Sequence, residues 1–281
     1  MSCLFLVMGS MAQLPNTDLW LFKTEPDKLT KKTILKEPLN INNREGYDNQ
    51  PSFSDDGKKI YYVSIKDDKQ ADLYYFDVGS KMNIPFTKSK VSEYSPVPVE
   101  EGRLIASVVV ETDSAQRIHF INAATGTDEK KLEMDSIGYY TFLNSDTVIY
   151  YKLTSPHSLR YHVKSTKEDK WLANSPIRTF KALNRHTFIY GIKDSLKVTF
   201  YSYDFLLRKA QRYTSYPSTN EDIVWHPTWG LVKSEETKLL YFDETKQEWT
   251  LLFDLSSFGI KKITRFAFDP KNKYLVVVNN L

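Results

Sequence analysis

Apolar and polar residues alternate along this chain in short runs, and the sharpest instance lies near residue 55. Phe53 closes one apolar run, Ser54-Asp55-Asp56-Gly57-Lys58 turns the chain, and Ile60-Tyr61-Tyr62-Val63 opens the next. Asp55 and Asp56 can accept hydrogen bonds from nearby backbone, and Gly57 takes up a positive φ that a Cβ would oppose. The β-branched and aromatic residues that follow suit a pleated, buried strand. Two further runs, "ADLYYFD" from Ala71 and "MNIPFT" from Met82, continue the series. Four strands joined by hairpin-length loops predict one antiparallel sheet.

The unit recurs. The second-strand position at Ile60 is matched by Leu104, Val148, Phe188, Leu231 and Leu275, at gaps of 44, 44, 40, 43 and 44 residues. A period of about 40–50 residues is the signature of propeller blades. Third strands follow from Arg117, Leu159, Lys197 and Lys238; fourth strands are thinner, with "KKLEM" from Lys130 typical. Counted this way, five units are complete. The C-terminus supplies only two strands, from Ile263 and Lys273, whereas the N-terminus begins with the missing pair, from Asp18 and Lys32. Residues 18–40 are therefore expected to complete the last blade. The predicted fold is all-β: a six-bladed β-propeller of four-stranded antiparallel blades, the last closed by the N-terminal strands. Such closure leaves only short, protected sheet edges.

The Phe-Ser-Asp-Asp-Gly-Lys turn, its apolar strand and the following "DLYYFD" resemble the repeat of TolB-type β-propellers, relatives of the WD-repeat proteins. Asp55 stands where that family usually has proline. Phe268-Asp269-Pro270 keeps the proline but has Lys271 and Asn272 in place of Asp and Gly, and Trp225-His226-Pro227 keeps only the aromatic and the proline. The resemblance spans residues 18–281 and implies a six-bladed binding propeller.

Composition fits one domain over residues 13–281. Aromatic residues make up 14% of the 281, enough to fill the layers between stacked sheets. No linker divides the chain, and no capped amphipathic helix interrupts it. Residues 1–12 read as the remnant of an export signal: Cys3 to Met8 is apolar, and Ser10 and Ala12 are small where a signal peptidase needs them. That run is too short to span a membrane. A periplasmic or secreted protein is expected, cleaved between Ala12 and Gln13, and Cys3 would leave with the signal, which excludes disulfides. A net charge of +3 is too mild to indicate nucleic acid.

No Gly-x-Ser-x-Gly elbow and no paired metal-ligand spacing occurs, so neither a catalytic set, a metal nor a cofactor is expected. Propeller geometry places a site at the mouth of the central channel, where loops enter the innermost strands. Repeat alignment puts Asp48-Asn49-Gln50, Glu93-Tyr94-Ser95, Gly138-Tyr139, Asn220-Glu221-Asp222 and Thr264-Arg265 at that mouth, with Asn49, Tyr94, Tyr139, Glu221 and Arg265 as the binding ring. Acid, amide, aromatic and arginine together suit a polar ligand or a peptide segment. The expected function is non-catalytic: a monomer that binds a partner protein or a cell-envelope glycan there. The alternatives are a glycan lyase or hydrolase using Glu93, Glu221 or Asp222, and a structural module of an envelope assembly. Fold alone does not choose among them.

Overall fold

The computed structural model describes residues 14–30, 32–66, 70–217 and 221–281. The export signal read at residues 1–12 lies outside them. One 3₁₀ turn, Ser256–Phe258, interrupts an otherwise all-β chain among the described residues. No described helix is long and apolar enough to cross a membrane.

Four separate sheets are four-stranded antiparallel meanders. The first comprises β7 (Glu93–Val99), β8 (Leu104–Val110), β9 (Gln116–Asn122) and β10 (Asp128–Lys131). Next come β11 (Ile137–Phe142), β12 (Thr147–Lys152), β13 (Ser158–Val163) and β14 (Glu168–Asn174). The third holds β15 (Pro176–Ala182), β16 (Thr187–Lys193), β17 (Val198–Asp204) and β18 (Lys209–Tyr216). The fourth holds β19 (Ile223–His226), β20 (Gly230–Glu235), β21 (Lys238–Asp243) and β22 (Glu248–Asp254).

The remaining eight strands belong to one larger sheet. One half is the meander of β3 (Tyr47–Phe53), β4 (Lys59–Ile65), β5 (Ala71–Asp77) and β6 (Met82–Pro85). The other half mixes the chain ends: β23 (Ile263–Phe268), β24 (Tyr274–Asn280), then β1 (Thr17–Pro26) and β2 (Thr33–Asn40). β1 runs antiparallel to β24 from Thr17↔Asn280 to Lys23↔Tyr274. A single parallel bridge, Thr17↔Tyr47, joins the halves. The Thr17 hydroxyl reinforces it by donating to the Asp48 carbonyl (2.9 Å).

Side-chain alternation explains why the second strand of each unit carried the clearest repeat. The six repeat anchors, Ile60, Leu104, Val148, Phe188, Leu231 and Leu275, are all 0% exposed. In β4, Ile60 and Tyr62 pack toward β1 and β24, whereas Tyr61 and Val63 pack toward β8 and β9. In β24, Leu275 and Val277 face β20 and β21, and Val276 and Val278 face β4. A strand covered on both faces must be apolar at every position, so it reads as a continuous run. The fourth strands lie at the other extreme: every residue of β10 is exposed, and most of β6 is.

The turn after Phe53 forms as its residues require. Asp56 Oδ1 accepts from the Ser54 hydroxyl (2.7 Å) and the Lys58 N–H (3.0 Å), and Gly57 sits at φ +74°. In the turn after Phe268, Asn272 occupies the matching place at φ +54°. Asparagine tolerates this left-handed conformation better than most residues with a side chain. The buried Asp269 holds that turn by accepting the N–H of Lys271, Lys273 and Tyr274.

Candidate functional site in the central channel

The first strands of the meanders lie side by side. β3 packs against β7 and β23, β11 against β15, β15 against β19, and β19 against β23. Most of them slip register near their start: between Asn49 and Ser52, Tyr94 and Val97, Ile137 and Tyr139, Pro176 and Phe180, and Ile263 and Arg265. Bulges of this kind bend a strand and re-aim its side chains. At two of them Gln50 and Ser95 adopt positive φ, +59° and +54°. Residues from all six first-strand regions then enclose a cavity of ≈ 120 Å³.

Two polar networks line it. In one, Gln50 Oε1 accepts the Ser95 N–H (2.5 Å), and the Tyr140 hydroxyl donates to the Ser95 carbonyl (2.8 Å). This ties β3, β7 and β11 together. In the other, the buried Asp222 carboxylate accepts from Arg178 Nε (3.1 Å) and the Thr179 hydroxyl (2.9 Å), with Arg265 Nε at 4.0 Å. Arg178 Nη2 also donates to the Thr264 carbonyl (3.0 Å), which links β15 to β23. Across the cavity, the Arg265 guanidinium lies over the Tyr139 ring, 5.4 Å from its centroid, within cation–π range.

The electrostatics are lopsided. Arg178, Lys181 and Arg265 face the cavity against a single carboxylate, Asp222. Burial opposes the Arg178 charge, but Asp222 outweighs it and its pKa is raised. Lys181 has no such partner: among the described residues its ammonium makes no hydrogen bond or ion pair. Burial pushes its pKa below the ordinary lysine value; Asp222 pulls the other way, and Arg265 adds to the push. Part of its side chain nonetheless remains open to the cavity.

Of the five residues expected in the binding ring, Tyr139 and Arg265 line the cavity. Glu221 stands beside it, accepting the Arg178 backbone N–H (3.3 Å) and pairing with Lys193 (2.8 Å). Asn49 and Tyr94 lie outside the lining: the Asn49 amide oxygen accepts the Gln50 N–H, and the Tyr94 ring packs in the layers around β8. Their chain neighbours Gln50 and Ser95, which the same alignment set at the mouth, take the channel positions. Arg178, Thr179 and Lys181 were not anticipated. The repeat itself could have found them, since Arg178 precedes Asp222 by 44 residues and Asp222 precedes Arg265 by 43.

A second cavity of ≈ 340 Å³, away from the channel, holds Glu93, Glu111, His119, Asp128 and Lys131. Burial raises the Glu93 pKa against the hydrogen bond from the Thr87 hydroxyl. The hydrogen bond from Lys131, with His119 and Arg117 helping, lowers Glu111 to about 2. His119 bridges Asp128 (2.5 Å) and Glu111 (2.9 Å). Each of these polar groups already has a partner, which marks an ion-pair network. Among the described residues, no group of three or more His, Cys, Asp or Glu side chains converges to hold a metal.

Solved structures supply the comparison. The chain is similar to a structure from Agrobacterium tumefaciens assigned to TolB, at 12% identity and a TM-score of 0.64, covering 95% of this chain and 99% of that one. It is similar to a gluconolactonase from Xanthomonas campestris at 9% identity and a TM-score of 0.65, with 92% and 94% covered. The fold is a TolB-like β-propeller. TolB from Acinetobacter baumannii matches at 13% identity and a TM-score of 0.55 over 71% of this chain, which spans about half (52%) of that protein's length. No family model and no curated protein matches the chain. At these identities the likeness fixes the propeller and leaves its function to be argued from the site.

Proposed function

We propose that this protein is an exported six-bladed propeller that binds, without covalent chemistry, a partner protein or cell-envelope ligand at the mouth of its channel. The observation that carries the reading is convergence: side chains from six first-strand regions meet at one cavity, held by rigid sheet. Six apolar clusters, one between each neighbouring pair of four-strand groups, support counting the eight-stranded sheet as two blades. The catalytic alternative draws on the gluconolactonase likeness. Against it, Asp222 and Glu221 are engaged by Arg178 and Lys193, and Glu93 sits in a different cavity. A general acid or base needs a carboxyl within reach of a substrate proton. Ion-paired groups are poorly placed for that.

The test is capture from an envelope extract on immobilised protein. Tyr139→Ala and Arg265→Ala are expected to weaken retention of the dominant species by about 1–3 kcal/mol each, the range of aromatic and arginine anchors. A charge reversal on an outer turn, Lys58→Glu, should leave it unchanged. The reading fails if the mouth variants retain that species like the parent while Lys58→Glu releases it. Turnover of a glycan by the purified protein would put the enzymatic alternative in its place. Export is checked separately: N-terminal sequencing of native protein should begin at Gln13, and an intact Met1 or Ser2 on cytosolic material would end that part of the proposal.

A further inference from the structure

Three cations against one carboxylate in a small, walled space is an unfinished electrostatic arrangement. Like charges held in a low-dielectric pocket repel strongly, and a desolvated charge without a partner costs free energy. Native proteins pair such groups, coordinate them, or leave them for a ligand. Here Arg178 is held by Asp222 and the Thr264 carbonyl, so it is largely used. Arg265 is not: it reaches Asp222 only at 4.0 Å, otherwise stacks on Tyr139, and donates no hydrogen bond among the described residues. Lys181 donates none either. Apart from the long Arg265–Asp222 pair, the N–H donors of two cationic side chains, from β15 and β23, therefore remain available to the cavity.

We infer that the channel of this propeller is a binding site for a single oxyanion group, a carboxylate or a phosphate, held by Lys181 and Arg265 in the cavity that Tyr139 also lines. The inference deepens the binding reading above and rests on it, because it names the chemistry the mouth recognises. The size agrees: a cavity of ≈ 120 Å³ takes an anionic head group and a few waters and excludes a folded segment. The donor types agree as well. A guanidinium offers a planar fork that matches a carboxylate or phosphate edge, and an ammonium adds a point charge with rotatable donors. Asp222, at the head of β19 between the strands that carry Lys181 and Arg265, repels an anion that approaches that strand and so confines it to the open side of the two cations.

Inorganic phosphate and acetate, each titrated separately by calorimetry against sodium chloride of matched ionic strength, test this on the whole chain. At least one should bind saturably, and the arm that responds identifies phosphate or carboxylate as the group. Lys181→Met should weaken that binding by about tenfold or more, the scale of one hydrogen bond to a charged group. Arg265→Gln provides an independent second variant should the first fold poorly. Lys130→Gln, which removes an exposed Lys130–Glu100 pair on the outer strand, should bind like the parent. The inference is overturned if neither anion binds above the chloride control, or if both channel variants bind as tightly as the parent. Loss of this result alongside mouth-dependent capture from extract would reject the oxyanion and keep the mouth. Anion binding alongside capture at an outer face would do the reverse.

Discussion

Deletion of residues 13–42 is expected to abolish cooperative unfolding. The deletion removes β1 and β2, and with them Leu19, Leu21, Phe22 and Ile41, all buried. Burying one such side chain contributes about 1.5–3 kcal/mol. Four of them rival the entire net stability of a typical domain, about 5–15 kcal/mol. The loss is also structural. Without β1, strand β24 becomes an open edge carrying Val276, Val277 and Val278, each 0% exposed in the intact protein. Exposed apolar edges pair with other chains. The truncated protein should therefore show a broad urea transition and aggregate on warming. If it melts as sharply and as high as the parent, the two chain ends do not close the ring.

Asp222→Ala should be the most destabilising single change in the channel. Asp222 is 4% exposed and is the one carboxylate facing Arg178, Lys181 and Arg265. Removing one partner of a buried pair typically costs about 3–5 kcal/mol, because the remaining charge is left uncompensated. The lower end applies here, since 31% of the Arg178 side chain stays in contact with solvent. An exposed pair supplies the contrast: Arg103 with Glu100 and Glu129 keeps 54% of its side chain in water. Arg103→Ala should leave the urea midpoint close to that of the parent. Urea midpoints at neutral pH measure both. Equal small losses would mean that Asp222 does not hold the inner ring together.

The fold was legible in the sequence wherever burial forces a pattern. Ile60, Leu104 and their four counterparts lie on strands covered on both faces, so the repeat survives in hydrophobicity when the letters diverge. The fourth strands gave little signal for the opposite reason. Water on both sides of β10 imposes no pattern on Asp128–Lys131, and the sequence placed this strand two residues late. The site was legible in part. Tyr139 and Arg265 emerge from repeat alignment, but bulges shift the strands so that Gln50 and Ser95 replace Asn49 and Tyr94 on the channel side. Backbone slips of that kind leave no mark in composition. Lys181 was missed because β15, "PIRTFKA", lacks the turn motif that anchors the first full unit.

The pairing of β1 with β24 also sets how the molecule meets force. Thr17 lies opposite Asn280, and the Leu281 N–H donates to the Asn16 carbonyl (3.0 Å), so both described ends leave the sheet at the same corner. Tension applied between them peels this ladder like a zipper, one hydrogen bond at a time from Leu281 inward. A ladder whose ends left from opposite corners would be loaded in shear, with every bond resisting together. The pairing that joins the two chain ends is thus loaded bond by bond under such a pull.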